Sequence, residues 1–366
     1  MHDIIITMKR RGKMKNNLNH YAGCLLGGAL GDALGAPVET LTYREITKEY
    51  GRDGITELQC GIRGVAEITN DTQLTLFTAE GLLRNECRRY QKNLDKDLRQ
   101  ATHVVFRAYL RWLYTQGLST SNWRGSDYDG WLVGLKPLYS NKEMENTCIT
   151  ALGKGIKGRL SKPINTSSTC GAVIRVAPVG LFTDTRDDAF ELGQRIGAIT
   201  HGHPTAINSA GAMALLIFNI IEGMEIMDAA LDVIEKLKES QDAEECIDKL
   251  ELAIELYNKK EGHMRALTQL GTGREAIETL AIGLYCALTY QDDIVEALIL
   301  AANHSGDSDS TSAVTGNILG AYLGKDALPE DWIEQLELAD EIEEMASDLY
   351  TRHCPDQEWA LKYPSW

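Results

Sequence analysis

Residues 305–312 read SGDSDSTS, and the apolar run AVTGNILGAYLG follows at 313–324. The pattern predicts a helix that begins at two closely spaced carboxylates, Asp307 and Asp309. One interpretation is helix capping, because Asp and Ser are favoured at helix N-termini, where a negative charge contributes about 0.3–1 kcal/mol. The other interpretation is that the two carboxylates hold a cation. The choice between capping and cation binding decides most of what the sequence says about function.

A second helix start of the same kind lies earlier in the chain. Residues 67–76 read EITNDTQLTL, so Thr69, Asn70 and Asp71 open another apolar helix. Both helix starts therefore present carboxylate and hydroxyl oxygens, and one of them adds an amide oxygen. Clustered hard oxygens suit Mg²⁺, Mn²⁺ or Ca²⁺ better than zinc. If the two starts converge, repulsion among their carboxylates would require a cation.

A third acidic element, GDALGAPVE at 31–39, contains Asp32 and Glu39. Glu39 is either an ordinary surface carboxylate or a third wall of the same pocket. Runs rich in glycine and small residues are expected to be loops between helices, and these loops carry the candidate chemistry. The runs are 27–37, 165–172, 200–204, 270–276 and 305–312.

Helical patterns dominate the chain, and strand signals are sparse. Some segments are predicted to be helical from apolar steps of three and four, and others from their continuous apolar character. These segments are 72–83, 103–114, 205–221, 226–237, 281–288 and 332–349. The acidic stretch 225–260 is expected to form an outer pair of helices that breaks at SQDAE. One all-α domain over 19–352 is the simplest interpretation, with a basic arm at 1–18 and an aromatic tail at 353–366.

The bulk composition excludes some functions. The 366 residues are 43% hydrophobic and 25% charged, as in ordinary globular proteins, and the formal net charge of −16 opposes nucleic-acid binding through the general field. The eight cysteines form no C-x-x-C pair, so we expect free thiols in a reducing cytosol. No apolar run approaches the ~18 residues that would span a bilayer, and the start does not fit a signal peptide. We therefore expect a cytoplasmic protein without a membrane partner.

Several motifs occur together along the chain. In order they are AGCLLGGALGDALGAPVE (22–39), TNDTQLTL (69–76), THGHP (200–204), LGTGREAIETLAIGLY (270–285) and GDSDSTSAVTGNILGAYLG (306–324). Over roughly residues 19–350 the chain resembles the ADP-ribosylglycohydrolase family. The resemblance implies an all-α fold, a single orthogonal multi-helix bundle whose active cleft is formed by loops at helix N-termini. It also implies a centre of two Mg²⁺ or Mn²⁺ ions and hydrolysis of the bond between ADP-ribose and a protein side chain, with arginine the expected acceptor.

The same resemblance implies roles for individual residues. The metal ligands would be Thr69, Asn70, Asp71, Asp307, Asp309 and Ser310. Glu39 would lie near the metals and the scissile ribose, and would act in catalysis with Asp71 and Asp307. Within SSTCGAVIR at 167–175, the backbone N–H groups of Ser168, Cys170 and Gly171 would bind phosphate and ribose. His201 would line the ADP-ribose cleft.

The chain departs from the family pattern in three ways. Asn70 stands where an aspartate is usual, so one negative charge is missing and we expect weaker binding of one metal ion. Ser310 stands where threonine is common and keeps the hydroxyl. Thr169 and Cys170 replace a more glycine-rich sequence, which narrows the allowed φ values and bears on how closely the backbone approaches a pyrophosphate.

The implied reaction explains why metal ligands and a nearby carboxylate would be needed. Cleavage at ribose C1″ builds oxocarbenium-like charge, and a metal pair that holds the ribose hydroxyls also acidifies a bound water. Glu39 would orient that water or transfer a proton. His201 and His203 also fit a plain structural role at a helix start, and Arg175 is expected to be a buried structural partner.

The basic N-terminal arm leaves alternatives open. Residues 8–17, MKRRGKMKNN, carry five Lys and Arg residues and no acid. The segment is either a tail upstream of the true start or an arm whose Arg10 and Arg11 mimic an arginine acceptor and plug the active site of an ADP-ribosyltransferase toxin. The candidate functions are therefore an enzyme, an immunity protein that binds such a toxin, and a family descendant with an inactive centre, which only Asn70 favours.

Overall fold

The computed structural model describes residues 15–120, 128–140, 146–260 and 262–365. Within these residues the regular secondary structure is helical, and β-pairing is limited to isolated bridges. The prediction of an all-α fold is therefore confirmed. The α-helices are α1 (Leu18–Gly35), α2 (Tyr43–Tyr50), α3 (Asn70–Lys92), α4 (Leu98–Thr115), α5 (Asn146–Gly153), α6 (Ala177–Phe182), α7 (Arg186–Gly197), α8 (Pro204–Ile221), α9 (Ile226–Leu237), α10 (Glu244–Lys259), α11 (His263–Leu270), α12 (Ala276–Thr289), α13 (Ile294–Ala302), α14 (Ser308–Leu323), α15 (Glu330–Gln335), α16 (Ala339–Thr351) and α17 (Gln357–Lys362).

Helices α1 and α14 pack backbone against backbone at the centre of the molecule. Glycines recur at four-residue steps on both helices, with Gly23 and Gly27 facing Gly320 and Gly316. A Cβ atom at Gly316 would lie 1.9 Å from the carbonyl oxygen of Gly27, and one at Gly320 would lie 1.9 Å from that of Gly23. A side chain at either position would therefore force the two helices apart.

The same contact fixes the direction and register of the pair. Gly27 faces Gly316, and Gly35 faces Ser308, whose carbonyl oxygen would lie 2.3 Å from a Cβ at Gly35. The helices are therefore antiparallel, and the start of α14 lies against the end of α1. This register brings Asp309 to the part of the chain that carries Asp32.

The glycine run at 27–37 was expected to be a loop, and this expectation is wrong. Residues 27–35 lie inside α1 and are buried. Residues four apart lie on one face of a helix. Because glycines have no side chain, a row of them leaves a shallow groove into which a second helix packs closely. The glycines therefore serve helix packing rather than a turn.

Other predicted segments fall on helices, with one division. The outer pair is α9 and α10, as expected, and the segment 332–349 is split between α15 and α16. Between them the backbone pairs with Ala66, whose N–H donates to the carbonyl of Gln335 (2.7 Å) and whose carbonyl accepts from the N–H of Glu337 (2.9 Å). These tertiary hydrogen bonds replace the bonds of a continuous helix.

Helix α8 passes through the core. It has the length and apolar character of a membrane span, contrary to the expectation that no segment does, and 89% of it is buried inside the structure.

The predicted C-terminal tail contains α17, whose Trp359 joins the main hydrophobic core together with Tyr363, the residue after the helix. Residues 1–14 of the predicted arm, with Arg10 and Arg11, lie outside the described residues.

Replacing Gly316 with alanine tests the backbone contact between α1 and α14. The added Cβ would overlap the carbonyl of Gly27, so the free energy of unfolding should fall by at least about 2 kcal/mol in urea titrations. Gly153→Ala is the matched control, because a Cβ at the end of α5 has nothing within 4 Å. Equal stabilities of the two variants would contradict the packing described for α1 and α14.

Candidate metal centre

The two acidic helix starts meet. The hydroxyl of Ser310, in the first turn of α14, donates a hydrogen bond of 2.7 Å to Oδ2 of Asp71, in the first turn of α3. Ser310 is 2% exposed and Asp71 is 4% exposed. Two segments that are 239 residues apart in the sequence thus share one buried polar site.

Asp307 occupies the N-cap position of α14, but its side chain makes no capping hydrogen bond. The start of α3 behaves differently, because the hydroxyl of Thr69 accepts the N–H of Asp71 at 3.1 Å. Among the described residues, the Oδ1 atoms of Asp307 and Asp309 are buried and have no hydrogen-bond partner. Since a buried carboxylate oxygen without a partner is costly, this arrangement favours cation binding over capping.

Glu39 completes the acidic cluster. It lies in the turn that follows α1, and carboxylate oxygens of Glu39, Asp307 and Asp309 all lie within 4.8 Å of one another. Burial raises the pKa of Asp71 and of Asp309 well above its usual value, and the neighbouring carboxylates raise it further. The cluster therefore consists of hard oxygen donors in a strongly negative environment, and these donors fit Mg²⁺ or Mn²⁺.

Asp71 is held from two sides. Its Oδ1 accepts a hydrogen bond of 3.1 Å from the side-chain amide of Asn70, and its Oδ2 accepts the hydroxyl of Ser310. These contacts fix the orientation of the carboxylate. Asn70, which departs from the family pattern, lies directly beside the cluster and is 8% exposed.

Asp32 anchors the start of α3, a role that the sequence did not reveal. It is fully buried, and its Oδ2 accepts the backbone N–H groups of Thr69 (2.9 Å) and Thr72 (3.2 Å) as well as the Thr72 hydroxyl. Burial raises its pKa. A carboxylate within the otherwise apolar and small-residue sequence of α1 was the available signal. Asp32 thus positions the Thr69–Asp71 turn from behind.

The predicted phosphate-binding loop lies next to the acidic cluster, but one of its predicted ligand contacts is wrong. The N–H of Cys170 was expected to face a ligand, but it donates to the carbonyl of Arg274 at 2.9 Å. The Cys170 thiol instead donates to Oδ2 of Asp307 at 3.3 Å. The backbone carbonyl of Ser168 accepts a hydrogen bond from the N–H of Ala276, and this bond anchors the loop to the start of α12. Ser168 and Gly171 stay candidates for contact with phosphate.

His201 lies behind this loop and does not line an open cleft. It is 0% exposed, and its ring nitrogens pair with the hydroxyls of Thr169 (Nε2, 2.9 Å) and Thr200 (Nδ1, 2.8 Å). His203 has a structural role, since its Nδ1 accepts the N–H of Thr205 at the start of α8. Arg175 is buried and donates to the Thr200 hydroxyl at 2.6 Å, as expected for a structural residue.

Comparisons with known proteins identify the family of the chain. Residues 14–358 match the family model described as ADP-ribosylglycohydrolase. An uncharacterized protein of Archaeoglobus fulgidus is 30% identical over 339 residues, which cover 91% of this chain and 96% of that protein. The ADP-ribosylarginine hydrolase Tri1 of Pseudomonas putida is 24% identical, with 92% and 79% covered, and the ADP-ribosylhydrolase ARH3 of Bos taurus is 22% identical, with 91% and 93% covered.

A solved structure confirms the fold. The structure, described as an ADP-ribosylglycohydrolase-related protein complex, matches 93% of this chain and 99% of its own with a TM-score of 0.56 and 22% identity. The family match over nearly the whole chain confirms the resemblance that the sequence motifs suggested. The chain is a hydrolase that belongs to the ADP-ribosylglycohydrolase family.

Proposed function

We propose that the chain removes ADP-ribose from ADP-ribosylated arginine side chains of proteins by metal-dependent hydrolysis of the glycosidic bond. The observation that carries the proposal is the cluster of Glu39, Asp307 and Asp309, whose carboxylate oxygens lie within 4.8 Å of one another. Family membership supports ADP-ribose hydrolysis, and the relatives named ADP-ribosylarginine hydrolase support arginine as the acceptor.

The residues that would hold two Mg²⁺ or Mn²⁺ ions come from three elements. They are Glu39 after α1, Thr69, Asn70 and Asp71 at the start of α3, and Asp307, Asp309 and Ser310 at the start of α14. Divalent ions bound there would supply Lewis-acid chemistry, by polarising ribose hydroxyls and lowering the pKa of a water molecule. The chain's own contribution is to bring these oxygens together and to hold Asp71 and Asp307 in fixed orientations.

Glu39 is the residue best placed to move a proton. It is half-buried, and it comes from a turn rather than from a helix start, so it forms an accessible edge of the cluster. A carboxylate at this edge would orient an attacking water and accept its proton as the C1″–O bond forms. The C1″–N bond breaks, and the arginine guanidine leaves with the bonding electron pair. The loop with Ser168 and Gly171 would bind the phosphates, and its attachment to Ala276 restricts its movement.

The described residues carry no feature that favours the toxin-binding alternative. Residues 1–14 of the arm lie outside the description, and Lys15 is tied to the helical domain. Its N–H donates to the carbonyl of Ile221 at 3.1 Å, and its Nζ lies 3.1 Å from the centre of the Tyr322 ring. We therefore propose hydrolysis alone.

Replacing Asp307 with alanine should abolish the metal-dependent reaction. The change removes one of the clustered carboxylates, so the rate of ADP-ribose release should fall at least about 100-fold, and Mn²⁺ binding measured by calorimetry should weaken. In the metal-free protein the same change relieves repulsion, so the melting temperature should not fall. Asp248→Ala, on the exposed face of α10, is the control. Full activity of Asp307→Ala in the presence of metal would refute the proposed centre.

Replacing Asn70 with aspartate should strengthen metal binding. The substitution adds a negative charge beside Asp71, and a charge of this kind near a divalent ion is worth about tenfold in affinity. Isothermal titration with Mn²⁺ measures the change directly, and the metal-free variant should be less stable because the added charge repels its neighbours. Asn93→Asp adds the same charge at the exposed end of α3. An unchanged or weaker affinity in Asn70→Asp would show that Asn70 is not a ligand.

A panel of defined linkages tests the reaction itself. Purified protein, with Mg²⁺ or Mn²⁺ and with a chelator, is incubated with peptides that carry ADP-ribose on arginine or on serine, and with ADP-ribosylated nucleic acid. We expect release of ADP-ribose from arginine only when metal is present. Release from serine alone would support the hydrolase activity but contradict arginine as the acceptor residue. No release from any substrate would overturn the proposed function.

A further inference from the structure

A cavity that is separate from the acidic centre is lined by basic side chains. It has a volume of about 610 Å³, and its basic residues are Arg99, Lys157, Arg159 and Arg195. They come from the first turn of α4, the segment before the phosphate-binding loop, and the last turn of α7. We call these four residues the basic pocket. None of them belongs to the cluster of Glu39, Asp307 and Asp309.

The pocket gathers positive charge in a chain whose net charge is strongly negative. The protein has a formal net charge of −16, yet residues 154–162, KGIKGRLSK, carry four cations and no acid. Within the described residues, Arg99, Lys157 and Arg159 form no ion pair, whereas Arg195 pairs with Glu191 at 2.6 Å. Asp97 also acts on Lys157. The pocket therefore keeps an excess of positive charge that these two acids do not neutralise.

The cations are close enough to repel one another. Burial lowers the pKa of Lys157, and the charges of Arg159 and Arg195 lower it further. The same field reaches His103 on α4, whose pKa is lowered to about 4 by burial and by the charges of Lys157, Arg107 and Arg88. Holding like charges together costs free energy, and a bound anion would remove this cost.

We propose that the basic pocket binds a small phosphate-bearing ligand with two or more negative charges, of the size of a nucleoside diphosphate. The volume lies in the range of small-molecule sites, which is about 300–1,000 Å³. Guanidinium groups match phosphate oxygens in pairs, and Ser161 lies in the same wall. A nucleic acid fits less well, because the acidic remainder of the chain would repel its other phosphates.

The test uses inorganic tripolyphosphate, which presents several linked phosphate groups without a nucleoside. Binding to the full chain is measured by calorimetry at low salt without divalent ions. The double variant K157Q/R159Q should bind at least about tenfold more weakly than the wild type, because two unpaired cations are removed. K238Q/K259Q is the matched control, since it removes two exposed lysines and gives the same net charge. It should bind like the wild type.

A second measurement does not depend on the variants. Lys157 of the wild type is acylated with an amine-reactive ester, and mass spectrometry follows the labelling with and without tripolyphosphate. Protection of Lys157, but not of Lys238, is expected. Equal affinities of the two double variants, no binding by the wild type, or tighter binding of a short RNA would overturn the proposal. So would loss of arginine-linked hydrolysis in K157Q/R159Q, since the pocket would then be part of the substrate cleft.

Discussion

The backbone contact between α1 and α14 is the constraint on which the rest of the structure depends. At the closest contacts, Gly23 faces Gly320 and Gly27 faces Gly316, so no Cβ atom separates the two backbones there. The antiparallel register then places the start of α14 beside the end of α1. Asp307 and Asp309 reach Glu39 because of this register, and a side chain in the interface would separate the carboxylates as well as the helices.

Packing and electrostatics act in opposite directions at this centre. Packing brings Glu39, Asp307 and Asp309 together and buries Asp309, while their mutual repulsion opposes this arrangement. Asp32 helps to hold the assembly, because it accepts two backbone N–H groups at the start of α3. A divalent ion would turn the repulsion into attraction. The basic pocket presents the reverse situation, since cations are gathered there in an otherwise acidic chain.

Much of the fold and part of the site could be predicted from the sequence, because local patterns carry local information. Apolar periodicity located the helices, and Asp71 and Asp307 could be identified as residues at helix starts. Tertiary contacts decided the rest. The glycine-rich sequence of α1 looks like a loop unless its partner helix is known. Only the fold shows that the backbone carbonyl of Arg274 accepts the N–H of Cys170. The burial of His201 likewise depends on neighbours distant in the sequence.

The central claim is that the starts of α3 and α14, with Glu39, jointly bind divalent ions. Anomalous diffraction from crystals grown with Mn²⁺ tests it most directly, because the scattering locates the metal without assuming a reaction. We predict anomalous peaks among the side-chain oxygens of Asp71, Asp307 and Asp309. Crystals in which these oxygens lie together at saturating Mn²⁺ but show no anomalous peak between them would contradict the claim.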